Sequence, residues 1–191
     1  AFRLSAGDEV RSFVLEKRDA VRPVRILYED ENLLVVYKPA GVLTLDITGK
    51  EKDTMLSRVS AALLQKGGVA AYPVHRIDFN TEGLLLFAKT EEIRDLLGRL
   101  IRDRKISKSY LAIVLGKIEP GHGTLTHQIF KDAKKNQVFV MDEPVKGSKT
   151  AITEYERLAY RGGLSLVKCH LITGRTHQIR SQICLLYTSP S

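Results

Sequence analysis

Cysteine is nearly absent: Cys169 and Cys184 are the two thiols in 191 residues. Two cysteines make neither a metal cluster nor a disulfide framework, and the scarcity fits an intracellular, cytoplasmic protein. Cys169 sits in an apolar, strand-like run and reads as a core thiol. No run of about 18 apolar residues occurs, so no membrane-spanning helix is encoded. The opening stretch, AFRLSAGDEVRS, has no apolar core segment and is no signal peptide. It also lacks a Met, as a fragment would. There is no P-loop, no G-x-G-x-x-G and no Cys/His cluster, which leaves no signature for a nucleotide, redox or metal cofactor. Internal repeats and low-complexity segments are missing too.

What is present points to one sizeable domain, with room for an appendage: 43% of the residues are apolar. The net charge is +8 and the pI about 9.5. Residues 1–30 carry six basic and six acidic side chains, and residues 31–57 three and four. Residues 58–191 therefore hold the whole surplus, 21 basic against 12 acidic. A surplus concentrated in this way favours a polyanionic partner, most often nucleic acid. A basic protein with no such partner fits the charge equally well.

The pattern along the chain predicts an α+β fold. Residues 26–37, ILYEDENLLVVY, read as two strands around Asp30-Glu31-Asn32, and KPAG ends the second. Met55, Leu56, Val59, Ala62 and Leu63 stand at helical spacing before Gly67-Gly68. Residues 84–88 read as a buried strand. Thr90 reads as the N-cap of a helix with Glu91 and Glu92 in its first turn. Strands dominate thereafter: KSYLAIVLG, GTLTHQIF, QVFVM, and a pair flanking Arg161-Gly162-Gly163, which is a hairpin signal. A last helix starts near Thr173 or Thr176. The expectation is a mostly antiparallel mixed sheet with flanking helices.

The chemistry concentrates in HRIDFNTEG, residues 75–83. A lone Asp before a strand is most often a turn former. Here Arg76 shares a face with Asp78 in extended backbone, and the apolar run LLLFA would hold the turn rigidly against a core. A rigid carboxylate serves as nucleophile or general base, and a nearby cation keeps it ionised.

HRIDFNTEGLLLFAKT resembles the H-R-L-D-x-x-T-S-G signature of the RluA-type pseudouridine synthases. Three further segments resemble that family in its order: ILYEDENLLVVYKPAGV, KSYLAIV and LITGRTHQIR. Together the four span residues 26–180. DAKK and GLSLVKCHL resemble, more weakly, ribosomal-RNA members of the family. Ile77 replaces the usual Leu, and Glu82 stands where Ser is usual.

The resemblance implies isomerisation of a uridine within RNA, large-subunit ribosomal RNA foremost and transfer RNA as the alternative, without any cofactor or metal. By motif position, Asp78 is the catalytic carboxylate. Tyr110 stacks on the uracil and helps remove the C5 proton, and Arg175 pairs with Asp78. Arg76 fills the gap left by the flipped uridine. His75 reads as a core histidine, and Lys38 and Pro39 as structural. Arg102, Arg104, Lys105 and Lys108, with Lys134 and Lys135, form candidate RNA-binding patches. The chain is expected to act as a monomer, away from membranes.

Two other classes fit less well. A non-catalytic RNA-binding module has no need of Asp78, Tyr110 and Arg175 together. A glycosidase needs two facing carboxylates, and only Glu82 adjoins Asp78.

The ends carry their own expectations. Residues 1–18 resemble the tail of the small RNA-binding domain that often precedes this catalytic domain, with residues 19–25 as linker and 26–183 as the catalytic domain. After HQIR the family pattern stops, and CLLYTSPS, residues 184–191, reads as a foreign tail on a catalytic domain truncated near Ile183. An incomplete catalytic domain is expected to be inactive as it stands.

Overall fold

Asp30 sets the first turn. Its Oδ1 accepts the backbone N–H groups of Asn32 and Leu33, both at 2.8 Å, and closes the hairpin between β1 (Arg25–Glu29) and β2 (Leu33–Lys38). These donors hold the Asp30 carboxyl below its ordinary range. The computed structural model describes residues 23–46, 48–68, 70–132 and 137–188.

Along β2 every second side chain is buried: Leu34, Val36 and Lys38. Such alternation is what a strand with one covered face requires. The cover is α1 (Met55–Gln65), which lays Met55, Val59 and Leu63 on that face. Thr54 caps α1 reciprocally with Ser57, and the helix ends where Gly67 adopts φ 72°, a conformation that favours glycine. Next come β3 (Tyr72–Pro73), β4 (Gly83–Ala88) and α2 (Glu91–Arg102). As its sequence predicts, α2 is capped by the Thr90 hydroxyl, which accepts from Ile93 N–H. The first sheet runs β1-β2-β4-β3, and Leu85 and Phe87 of β4 complete its core.

The second half is a five-stranded sheet in the order β5-β9-β8-β6-β7. Its members are β5 (Ser109–Leu115), β6 (His122–Asp132), β7 (Gln137–Met141), β8 (Lys149–Arg161) and β9 (Leu164–Leu171). The β8–β9 hairpin turns on Gly162 and Gly163, whose φ values of 58° and 78° suit a tight two-residue turn. α3 (Gln178–Thr188) lies on this sheet, held by buried Gln182. The Gln182 amide accepts the Thr153 hydroxyl at 2.7 Å and donates to the carbonyls of Leu125 and Ala151. Ile118, Leu125, Tyr155, Val167, Cys169 and Ile183 form the second core. Burial pushes the Cys169 thiol up to about 11, as befits a core thiol.

Tyr110 of β5 packs against both cores and so sits at the seam between them. The α+β class stands, but the expected mixed sheet divides in two. Every strand pair described is antiparallel, and the parallel contact is an isolated bridge between Leu43 and Thr54. The expected N-terminal remnant at 1–18, the linker as far as residue 22, and residues 189–191 of the expected tail lie outside the described residues. α3 runs on through residues 184–188.

Candidate active site

The loop that carries Asp78 is braced from behind by the chain that leaves β2. The fully buried Lys38 ammonium donates to the carbonyls of Pro39 (3.0 Å), Val42 (2.6 Å) and Phe79 (3.1 Å). Gly41, at φ 77°, donates its N–H to the same Phe79 carbonyl at 2.9 Å. The buried Thr44 hydroxyl donates to Ile77 O and accepts from Ile77 N–H. Asp78 O accepts Thr81 N–H at 3.0 Å, which closes the turn. The KPAGVLT segment thus fixes the peptide groups on either side of Asp78. Burial lowers the Lys38 pKa, while Asp78 pulls the other way.

From this loop Asp78 faces a cleft of about 790 Å³. β5 lines the same cleft with Tyr110, and Lys108 stands just before that strand. The turn after β9 and the start of α3 contribute Arg175, His177 and Arg180. Burial, and secondarily the Asp78 charge, raises the Tyr110 pKa, so the phenol stays protonated. Burial lowers the Lys108 pKa. A cleft with one carboxylate, a half-buried phenol and several cations suits a polyanion that brings an aromatic base to the carboxylate.

Asp78, Tyr110, Arg175, Arg76 and Lys108 all line this one cleft. The expected pairing of Arg175 with Asp78 is absent. Arg175 Nε donates to the Thr150 carbonyl at 2.9 Å, and the partner of Asp78 Oδ2 is His177 Nδ1, also at 2.9 Å. His177 takes φ 55°, and Arg175 is held at the start of β8 by its bond to Thr150. Sequence reasoning missed His177 although THQ lies within a quoted motif; a second titratable group beside the arginine was the available signal.

Arg102, Arg104 and Lys105 are exposed at the end of α2 and just beyond it, and they do not line the cleft. Lys134 and Lys135 lie outside the described residues. His75 is half-buried and structural on one side: Nε2 accepts Leu86 N–H at 3.3 Å, while buried Nδ1 has no partner. Burial lowers its pKa, and Lys108 adds to the effect. Glu82 is turned to the Tyr37 hydroxyl, whose pKa it raises, so it serves the sheet. Among the described residues no three His, Cys, Asp or Glu side chains are grouped to hold a metal ion, and no helix is long and apolar enough to cross a membrane.

Residues 32–184 match the RNA pseudouridylate synthase family. The mitochondrial tRNA pseudouridine(32) synthase of Saccharomyces cerevisiae is 34% identical over 163 residues, covering 83% of this chain and 34% of that protein. The ribosomal large subunit pseudouridine synthase D of Zymomonas mobilis is 36% identical over 164 residues, covering 83% and 51%. An uncharacterized RNA pseudouridine synthase of Bacillus subtilis, YlyB, is 31% identical over 188 residues, covering 94% and 61%. The chain thus spans from a third to three fifths of the length of these relatives. Among solved structures, human RNA Pseudouridylate Synthase Domain Containing 4 superposes with a TM-score of 0.72 at 22% identity, covering 84% of this chain and 64% of that one. The family match over most of the chain, the shared fold and the carboxylate cleft agree: this chain belongs to the RNA pseudouridine synthases.

Proposed function

We propose that this chain carries the catalytic region of an enzyme that isomerises uridine in RNA to pseudouridine, with large-subunit ribosomal RNA as its substrate. The N1–C1′ bond breaks, C5 bonds to C1′, the C5 proton leaves and N1 gains one, so the reaction needs no outside electrons or groups. Asp78 engages the ribose, by adding at C1′ or by taking the C2′ proton, and both routes need the ionised carboxylate. Tyr110 stacks on the flipped uracil. Arg76 fills the gap that the base leaves, a step that costs a few kcal/mol and favours a loop or a distorted duplex.

The observation that carries this reading is that Asp78 and Tyr110 line one cleft together with Arg76, Lys108, Arg175 and Arg180. Relatives named for large-subunit pseudouridine synthesis, at 34–36% identity in four bacteria, support the ribosomal target. The test uses ribosomal RNA labelled with tritium at uridine C5. Release of tritium by the full-length parent and none by its Asp78→Ala variant is expected. Equal release from both would remove Asp78 from the reaction. Carbodiimide primer-extension mapping then reads the modified position, and a signal confined to transfer RNA would overturn the ribosomal assignment.

A further inference from the structure

The stretch that ends α2 and leaves it, RLIRDRK over residues 99–105, sets Arg99, Arg102, Arg104 and Lys105 against a single acid, Asp103. All four cations are exposed, and among the described residues none of them is held in an ion pair. The helix dipole accounts for a cation in the last turn, such as Arg99 or Arg102. It does not account for Arg104. α2 closes in a two-bond turn, with Lys105 N–H donating to Leu100 O at 2.8 Å and Arg104 N–H to Ile101 O at 3.2 Å. That pattern needs a left-handed residue at position 104, and Arg104 has φ 60°. Glycine is the usual occupant, because an L side chain is strained there. Among the described residues the Arg104 side chain returns no hydrogen bond to the fold. Strain without a structural return points to a use outside the fold.

The turn is also joined to the cleft. Ile101, Ile106 and Ser107 line a second cavity, of about 720 Å³, together with Thr81, Lys108 and Tyr110. The last three line the Asp78 cleft as well. From Arg104 to Lys108 the chain spans at most about 14 Å, a length that about four stacked nucleotides cover.

We infer that the turn after α2, with Arg104 at its tip, binds the phosphate backbone of the substrate RNA outside the cleft. This rests on the reading of RNA as the substrate. Nucleotides beside the target uridine run from the cleft past Lys108 to the turn. Contacts of this kind fix the register of the RNA and carry no base sequence.

Arg104→Gly separates this role from a structural one, because it removes the charge and relieves the backbone. In the full-length parent its thermal midpoint should hold or rise. Its affinity for a fluorescein-labelled RNA stem-loop, read by anisotropy, should fall about 5–8-fold at about 0.1 M salt, and the slope of log affinity against log salt should shrink by about 0.7–0.9. Arg104→Lys keeps the charge and should stay within about twofold of the parent. Arg161→Ala removes an exposed cation at the β8–β9 turn and should also stay within about twofold. Unchanged affinity and salt slope in Arg104→Gly, a lowered midpoint in that variant, a Lys variant as weak as the Gly variant, or an equal loss in Arg161→Ala would each overturn the assignment. A parent that does not bind the stem-loop would overturn both this surface and the functional reading. A parent that binds it with the same dependence on Arg104, yet releases no tritium, would overturn the functional reading alone.

Discussion

Replacing Thr44 with valine removes one oxygen and keeps the shape of the side chain. That oxygen makes both hydrogen bonds that tie Ile77 to the neighbouring segment, at 3.0 Å to its carbonyl and 3.3 Å from its N–H. Thr44 is 3% exposed and Ile77 6%, so water cannot take the hydroxyl's place without the loop opening. A buried backbone group left without a partner costs about 1–3 kcal/mol. With the longer bond at the low end of that range, Thr44→Val should destabilise the chain by about 2–4 kcal/mol. In a domain of this size that lowers the thermal midpoint by about 5–15 °C. Thr44→Ser keeps the oxygen and loses a methyl group, for about 1 kcal/mol. Urea unfolding followed by circular dichroism compares the three chains. An unchanged midpoint in Thr44→Val, or a Ser variant as weak as the Val variant, would refute the claim that this hydroxyl anchors the loop. Because Asp78 is the next residue, a loosened Ile77 should also cost about 100-fold in tritium release, the usual effect of a displacement near 1 Å.

Lys38→Met orphans the carbonyls of Pro39 and Val42, while Phe79 O keeps Gly41 N–H; relief of the buried charge offsets part of the loss, so about 1–3 kcal/mol of destabilisation should appear in the urea midpoint. Burial depresses the Lys38 pKa below its ordinary 10.5, so its stabilising contribution is present above 10.5 and lost as the pH falls through the folded-state value; the methionine variant should lack that slope. Iodoacetamide at pH 8 should label exposed Cys184 and spare Cys169, whose thiol is fully buried and pushed up to about 11; peptide mass spectrometry showing Cys169 labelled in the folded chain would contradict its core seat. The Glu51 and Thr48 N–H groups hold the Asp46 carboxyl down at about 2, so this turn should survive at pH 3 and open as the pH falls through that value; amide shifts of Thr48 and Glu51 with a midpoint near 3.8 would show that these bonds do not hold it.

Local rules made much of this molecule legible in its sequence. The Asp30 turn, the Thr90 cap and the Gly162-Gly163 hairpin each depend on residues within a few positions of one another, and each forms as its residue types require. The cleft followed from motif order, since Asp78, Tyr110 and Arg175 do converge. What escaped depends on longer range. Whether the strands join into one sheet or divide is set by long-range strand pairing, which no periodicity reports. β3 is two residues long, Tyr72 and Pro73, and gives no pattern to read. The partner of Asp78 comes from a turn 99 residues away along the chain. The resemblance implied arginine there, and the structure has histidine at 2.9 Å.

The bond between Asp78 and His177 has one end on the first sheet's loop and the other on the turn that leaves the second sheet. It is therefore a latch across the seam, and its length gauges how the two halves of the molecule stand to each other. The Asp78 carboxylate is in this way also a contact between the two halves of the molecule.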